Sequence, residues 1–181
     1  MKLYNLNNKL LCQSDHVPEN FTGIVEYVNS KSWYKEGNLH RENGPAIEYA
    51  DGYKTWYKEG KLHRENGPAK EYADGSKSWY KEGKLHRENG PAIEYANGNK
   101  FWYKEGNLHR ENGPAIEYAD GVKTWYLNDV QYSEQEFNNI YPNNPEVKIL
   151  NPSAIAKITT PPPTPRKIIN PILELQIIET P

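Results

Sequence analysis

The sequence predicts an all-β fold: an elongated, single-layer antiparallel meander of tandem β-hairpins, with a short C-terminal capping helix and a disordered tail. Three observations predict it. The octet Leu85-His86-Arg87-Glu88-Asn89-Gly90-Pro91-Ala92 recurs from Leu39, Leu62 and Leu108, at a spacing of 23 residues. Trp33, Trp56, Trp79, Trp102 and Trp125 keep the same interval, and each is followed by a tyrosine. Each period also carries a turn dipeptide: Asp51-Gly52, Asp74-Gly75, Asn97-Gly98 or Asp120-Gly121. A fixed period of roughly 20–50 residues marks a stacked repeat architecture. Asp-Gly or Asn-Gly between two β-rich runs marks a hairpin turn.

Taken in order, residues 1–19 read as an N-terminal leader with at most one strand around residues 3–11, broken by Pro18. Residues 20–132 form the hairpin array. Its first unit is degenerate, because residues 21–27 copy residues 44–49 imperfectly and Asn29-Ser30 replaces Asp51-Gly52-Tyr53. An end unit without an outer neighbour is expected to be atypical. Within the array, a two-residue type I′ turn at Asn97-Gly98 places Tyr95 opposite Lys100 and Ile93 opposite Trp102. Alternation then gathers Ile93, Tyr95, Lys100 and Trp102 on one face. Lys70 replaces isoleucine opposite Trp79, so that face is expected to be half-open, with the lysine stem lying on the indole. The prolines of the octets, lacking an N–H, belong at strand starts or edges.

The array ends where Leu127-Asn128-Asp129 replaces Lys-Glu-Gly. Ser133-Glu134-Gln135-Glu136 matches a capping box, so residues 133–142 read as a capping helix stopped by Pro142. Residues 143–181 form a Pro-rich tail. Residues 161–167 have a polyproline composition and resemble an SH3-type ligand. Beyond them Leu173, Leu175 and Ile177 alternate with Glu174 and Gln176, the pattern of a strand that docks on a sheet edge.

Composition narrows the function classes. A mean hydropathy of −0.96 argues against a thick core and for a thin array whose units bury a little against their neighbours. The formal net charge of −2 leaves no nucleic-acid footprint. Cys12 is the only cysteine, which rules out an internal disulfide and suits a reducing compartment. The polar interruptions in the first eleven residues do not read as a signal peptide, and no apolar run is long enough for a transmembrane helix. The expectation is therefore a soluble, intracellular protein.

Repeats with Trp-Tyr-x-x-Gly-x-x-His and a closing Asp/Asn-Gly resemble MORN repeats over residues 21–126. They depart from that pattern at Arg87, where a glycine follows the histidine in MORN units. The Gly-Pro-Ala octet is similar to a variant in predicted proteins of giant DNA viruses and of some bacteria and phages. The resemblance implies elongated hairpin meanders acting as scaffolds, membrane-apposed linkers or protein-binding platforms, and a host-cytoplasm or virion location if the source is viral. Lipid binding, proposed for some members, needs a basic face. One unit carries Lys81, Lys84, Arg87 and Lys100 against Glu82, Glu88 and Glu94, a surplus of 4 − 3 = 1 positive charge, which does not favour it.

The histidine column, His40, His63, His86 and His109, is the obvious chemical candidate. Copies two strands apart lie about 10 Å from one another, whereas zinc ligands sit within about 2 Å of one ion. No metal, cofactor or catalytic residue is therefore assigned, and four identical His-Arg-Glu sets with no distinct pocket do not suit an enzyme. The expected function is a non-enzymatic interaction or scaffold protein with a protein partner. Its candidate surface is Trp33, Trp56, Lys70, Trp79, Trp102 and Trp125, and its candidate docking residues in the tail are Leu173, Leu175 and Ile177. The alternative is a carbohydrate- or choline-binding module that uses the Trp-Tyr stripe for stacking.

Overall fold

The computed structural model describes residues 1–141. Each repeat contributes two hairpins, arranged in two rows. The first row is a continuous antiparallel sheet. It runs β2 (Leu10–Gln13), β1 (Lys2–Tyr4), β3 (Gly23–Glu26), β4 (Ser30–Lys35), β6 (Ile47–Tyr49), β7 (Lys54–Thr55), β10 (Lys70–Glu71), β11 (Lys77–Ser78), β14 (Ile93–Glu94), β15 (Lys100–Phe101), β18 (Ile116–Glu117), β19 (Lys123–Leu127) and β20 (Val130–Tyr132). The second row comprises small ribbons: β5 (Asn38–Leu39) on the end of β4, β8 (Tyr57–Lys58) with β9 (Lys61–Leu62), β12 (Tyr80–Lys81) with β13 (Lys84–Leu85), and β16 (Tyr103–Lys104) with β17 (Asn107–Leu108). The expected hairpin meander is thus present, but the segment joining successive hairpins is itself a hairpin.

The register differs from the expected one by a single residue. Ile93 faces Phe101 and Glu94 faces Lys100. The Asn97-Gly98 loop has three residues, because Tyr95 N–H donates to the Asn99 carbonyl and Gly98 N–H to the Tyr95 carbonyl, both at 2.9 Å. Gly98 has φ +93° while Asn97 is not among the residues with positive φ. This is a type I turn followed by a glycine bulge, which carries the same Asn-Gly signature as the two-residue loop. The two-residue turn with both φ values positive lies elsewhere, at Glu105-Gly106, with φ 51° and 91°. Because side chains alternate with period two, the slip moves each tryptophan to the face opposite Ile93 and Tyr95.

The core lies where the two rows meet. Ala92, Ile93, Phe101 and Ile116 from the main sheet cluster with Tyr103 and Leu108 from the ribbon, and Leu85 and Tyr126 pack against them. Successive ribbons are joined by two backbone bonds per repeat, such as Gly106 N–H to the Leu85 carbonyl at 2.9 Å and Arg87 N–H to the Tyr103 carbonyl at 3.4 Å. Ala46, Ala69, Ala92 and Ala115 are fully buried, and their carbonyls accept from the N–H of Trp33, Trp56, Trp79 and Trp102 at 2.8 Å. Those bonds tie each bend to the following repeat. Pro91 falls two residues before β14, as a residue without a donor should.

Both ends are finished. Residues 1–19 hold two strands rather than at most one, with Leu3 opposite Val25 and only 2% exposed. The asparagines that interrupt this stretch build its turn: the Asn5 side chain accepts from the N–H of Asn7 and Lys9, and Asn8 takes φ 62°. At the other end, α1 (Glu134–Ile140) has the expected capping box of Ser133 and Glu136 and seats fully buried Phe137 against β19 and β20.

Candidate interaction site

The octet folds into a clip on the outer face. The Arg87 guanidinium carbon lies 3.8 Å from the centre of the Trp79 ring, and its Nη1 donates to the Pro91 carbonyl at 3.0 Å and to Glu94 at 2.6 Å. Arg41, Arg64 and Arg110 repeat this arrangement on Trp33, Trp56 and Trp102. These tryptophans are half-buried, and one ring face of each is occupied by its arginine. Trp125 has no octet after it and pairs instead with Tyr132 across β19 and β20.

The histidines join neighbouring repeats. The Glu105 N–H lies 3.1 Å from His86 Nδ1, and His86 Nε2 lies 2.9 Å from Glu88. His40 and His63 reach Glu59 and Glu82 in the same way, and His109 reaches Asn128. His63 and His86 are buried, and their hydrogen bonds hold the Glu65 and Glu88 carboxyls below the ordinary carboxylate range. Among the described residues, no three His, Cys, Asp or Glu side chains converge as a metal site would require. Between successive octets lie open clefts of about 600 and 650 Å³, one beside Trp56 and one beside Trp79.

The inner side carries a feature that the sequence reading did not single out. Tyr27, Tyr49, Tyr72, Tyr95 and Tyr118 stand on the main sheet at almost equal exposure, 38–40%. Across from them, each ribbon or ribbon end supplies the tyrosine that follows a tryptophan: Tyr34, Tyr57, Tyr80, Tyr103 and Tyr126. The two sets are close. The Tyr34 hydroxyl is pushed up to about 12, by burial first and then by the nearby Tyr27 hydroxyl. Burial first, then Tyr72, Tyr95 and Tyr57, push Tyr80 up to about 12. Tyr49, Tyr53 and Tyr72 stack with centroids 5.2 and 4.9 Å apart, and Phe101 stands edge-on to Tyr95 and Tyr118 at 5.5 and 6.0 Å. Two tyrosine rows therefore run side by side along the array. The signal was in the sequence, as a second aromatic column at the tryptophan interval.

Lys70 belongs to this inner side. It was expected opposite Trp79, but it faces Ser78 on one strand and Thr55 on the other. Its ammonium lies 5.2 Å from the Tyr80 ring, because the one-residue register shift turns the lysine away from the indole. Burial pushes the ammonium pKa down. Of the expected surface, the structure thus keeps Trp33, Trp56, Trp79 and Trp102 together on the outer face and separates Lys70 from them. Leu173, Leu175 and Ile177 lie outside the described residues.

No family model matches this chain, and no curated protein matches it significantly. No helix among the described residues is long and apolar enough to cross a membrane.

Proposed function

We propose that this chain is a non-enzymatic interaction scaffold that presents a repetitive surface to a protein partner. The observation that carries the reading is the pair of tyrosine rows. Aromatic side chains with an apolar body and a polar tip are favoured at protein interfaces, because they supply contact area and hydrogen bonds together. Repetition at one register along a solenoid is what a partner with an extended or repetitive surface requires. The 23-residue period and the Trp-Tyr-x-x-Gly-x-x-His core support a MORN-like assignment, and the single cysteine suits an intracellular setting.

The tyrosine rows support this reading better than the tryptophan stripe supports a sugar- or choline-binding module. A guanidinium on one face of Trp33, Trp56, Trp79 and Trp102 leaves only the opposite face for stacking. Affinity purification from the native host tests the proposal. The full chain is expected to recover a defined partner, and Tyr72→Ser with Tyr95→Ser to lose it without loss of folding. Equal recovery by both proteins would overturn the assignment of the surface. Glycan-array binding that weakens in Trp102→Ala would favour the carbohydrate module instead.

A further inference from the structure

We infer that the free edge of β2 pairs with the same edge of a second copy of this chain, in a two-fold dimer centred on Cys12. The inference goes beyond the scaffold reading and does not depend on it, because it rests on the first strands of the sheet and not on the tyrosines.

The edge is open. β2 ends the main sheet on one side and pairs only with β1. All four of its residues are exposed, and Leu6, Leu10 and Leu11 keep 62, 49 and 54% of their surface in solvent. At the far end α1 packs on β19 and β20 and buries Phe137, whereas no helix among the described residues covers β2. Edge strands are ordinarily guarded by charged residues or proline, and Leu10-Leu11-Cys12-Gln13 has neither.

The register follows from the hydrogen bonds and the charges. Met1 and Ser14 exchange bonds in both directions at 3.2 Å. Bonded and unbonded pairs alternate in an antiparallel ladder, so Gln13, one residue back, turns its N–H and carbonyl to the open edge. A second copy that meets Gln13 with its own Leu11 brings the two Cys12 residues face to face. It also sets Lys9 of each copy against Asp15 of the other, twice over by symmetry. These are the charged residues nearest to β2 on either side. Both are exposed, and the ion pair of this region joins Lys2 to Glu26, which leaves Lys9 and Asp15 unpaired among the described residues. Centring the axis on Gln13 instead would set Asp15 against Leu11 and lose both ion pairs. The edge is thus complementary to itself in one register.

The contact is small. Leu11 has no residue opposite it on β1, a bulge that limits regular pairing to a few residues about the axis. About seven residues per copy fall short of the roughly 1,200 Å² of a standard interface, so the dimer is weak and reversible. The axis stands perpendicular to the sheet, so both copies turn their tyrosine rows to the same side.

Sedimentation equilibrium of the full chain under reducing conditions tests this. The native chain should pass from monomer to dimer over roughly 10–500 μM, the range of a small interface. Lys9→Asp opposes two carboxylates at each end and should weaken dimerisation about tenfold. Asp15→Lys should do the same with two ammonium groups, and Lys9→Asp combined with Asp15→Lys should restore the dimer. Mild oxidation with copper phenanthroline should link Cys12 to Cys12 several-fold faster in the native chain and the double swap than in either single variant. An unbonded antiparallel pair holds its Cα atoms about 4.5 Å apart, within disulfide reach. Lys9 and Asp15 are exposed, so an unchanged melting temperature separates loss of pairing from loss of fold. A chain that stays monomeric throughout that range, or a dimer indifferent to both single reversals, would overturn the inference. A dimer lost on removal of residues 143–181 yet indifferent to the reversals would place the contact in the tail and overturn it as well. Partner capture through Tyr72 and Tyr95 is measured separately in Lys9→Asp, so failure of the scaffold reading leaves the dimer standing.

Discussion

The Arg87 guanidinium stacks on Trp79 with its carbon 3.8 Å from the ring centre. The same arginine is held in plane by the Pro91 carbonyl and Glu94. A planar, forked cation is required to stack and donate at once, which a lysine ammonium cannot do. Arg87→Ala should lower unfolding stability by about 2 kcal/mol, combining a cation–π contact with a charge-assisted hydrogen bond. Arg87→Lys should recover less than half of that. Urea denaturation measures both, and equal stability of the lysine variant and the native chain would contradict the stacked geometry.

Trp79 is half-buried, so its removal should cost less than loss of a fully buried ring. Trp79→Ala is expected to cost about 2–3 kcal/mol, against 3–5 for a tryptophan sealed in a core. The double variant with Arg87→Ala should cost less than the sum of the two, with a coupling near 1 kcal/mol. Strict additivity would mean that the ring and the guanidinium act independently.

Glu105 sits at φ 51° in a turn whose last copy has Asn128 at the same position and the same φ. Asparagine tolerates this region better than a longer acid. Glu105→Asn should therefore raise stability by about 0.5 kcal/mol. Gly98→Val should have the opposite effect, because it forces a β-branched residue to φ +93°. Thermal melts of the two variants should move in opposite directions, and movement in the same direction would contradict the turn assignment.

Stability should depend on pH at both extremes. The Glu65 and Glu88 carboxyls are held low by hydrogen bonds from His63 and His86. A lowered carboxyl contributes above its unfolded pKa, and that contribution is lost as pH falls through the folded value. Glu65→Gln with Glu88→Gln should flatten the acid limb of a melting-temperature profile. Tyr34 and Tyr80 are pushed up to about 12, mainly by burial. A raised phenol contributes fully below about pH 10 and loses that contribution as pH rises through about 12. Absorbance titration near 295 nm should show a fraction of tyrosines ionising only as the array unfolds.

Much of this architecture is legible from the residues. The recurring Trp-Tyr and Leu-His-Arg-Glu columns announce the repeat, and Ser133 with Glu136 announces the final helix, because capping is a local property. The register was not legible. Asn97-Gly98 suits both a two-residue turn and a three-residue loop with a glycine bulge, and the choice decides which face every side chain takes. Glu105-Gly106 gave no warning as a two-residue turn, since glutamate seldom takes positive φ. The site was misplaced for the same reason. One residue of slip put Trp102 beside Ile93 in the expected pairing, and the tyrosines that share the inner side with Ile93 were passed over.

The tyrosines and tryptophans lie on opposite faces only in the observed register, so a pair of cysteines tests it most directly. In a Cys12→Ser background, Glu94→Cys with Lys100→Cys places two thiols on directly opposed residues of one face. Glu94→Cys with Phe101→Cys places them on opposite faces, where a disulfide cannot close. Mild oxidation followed by mass spectrometry should show an intramolecular bridge in the first variant and free thiols in the second. A bridge in the second and not the first would restore the pairing of Ile93 with Trp102, and would return the tryptophans to the face now assigned to the tyrosines.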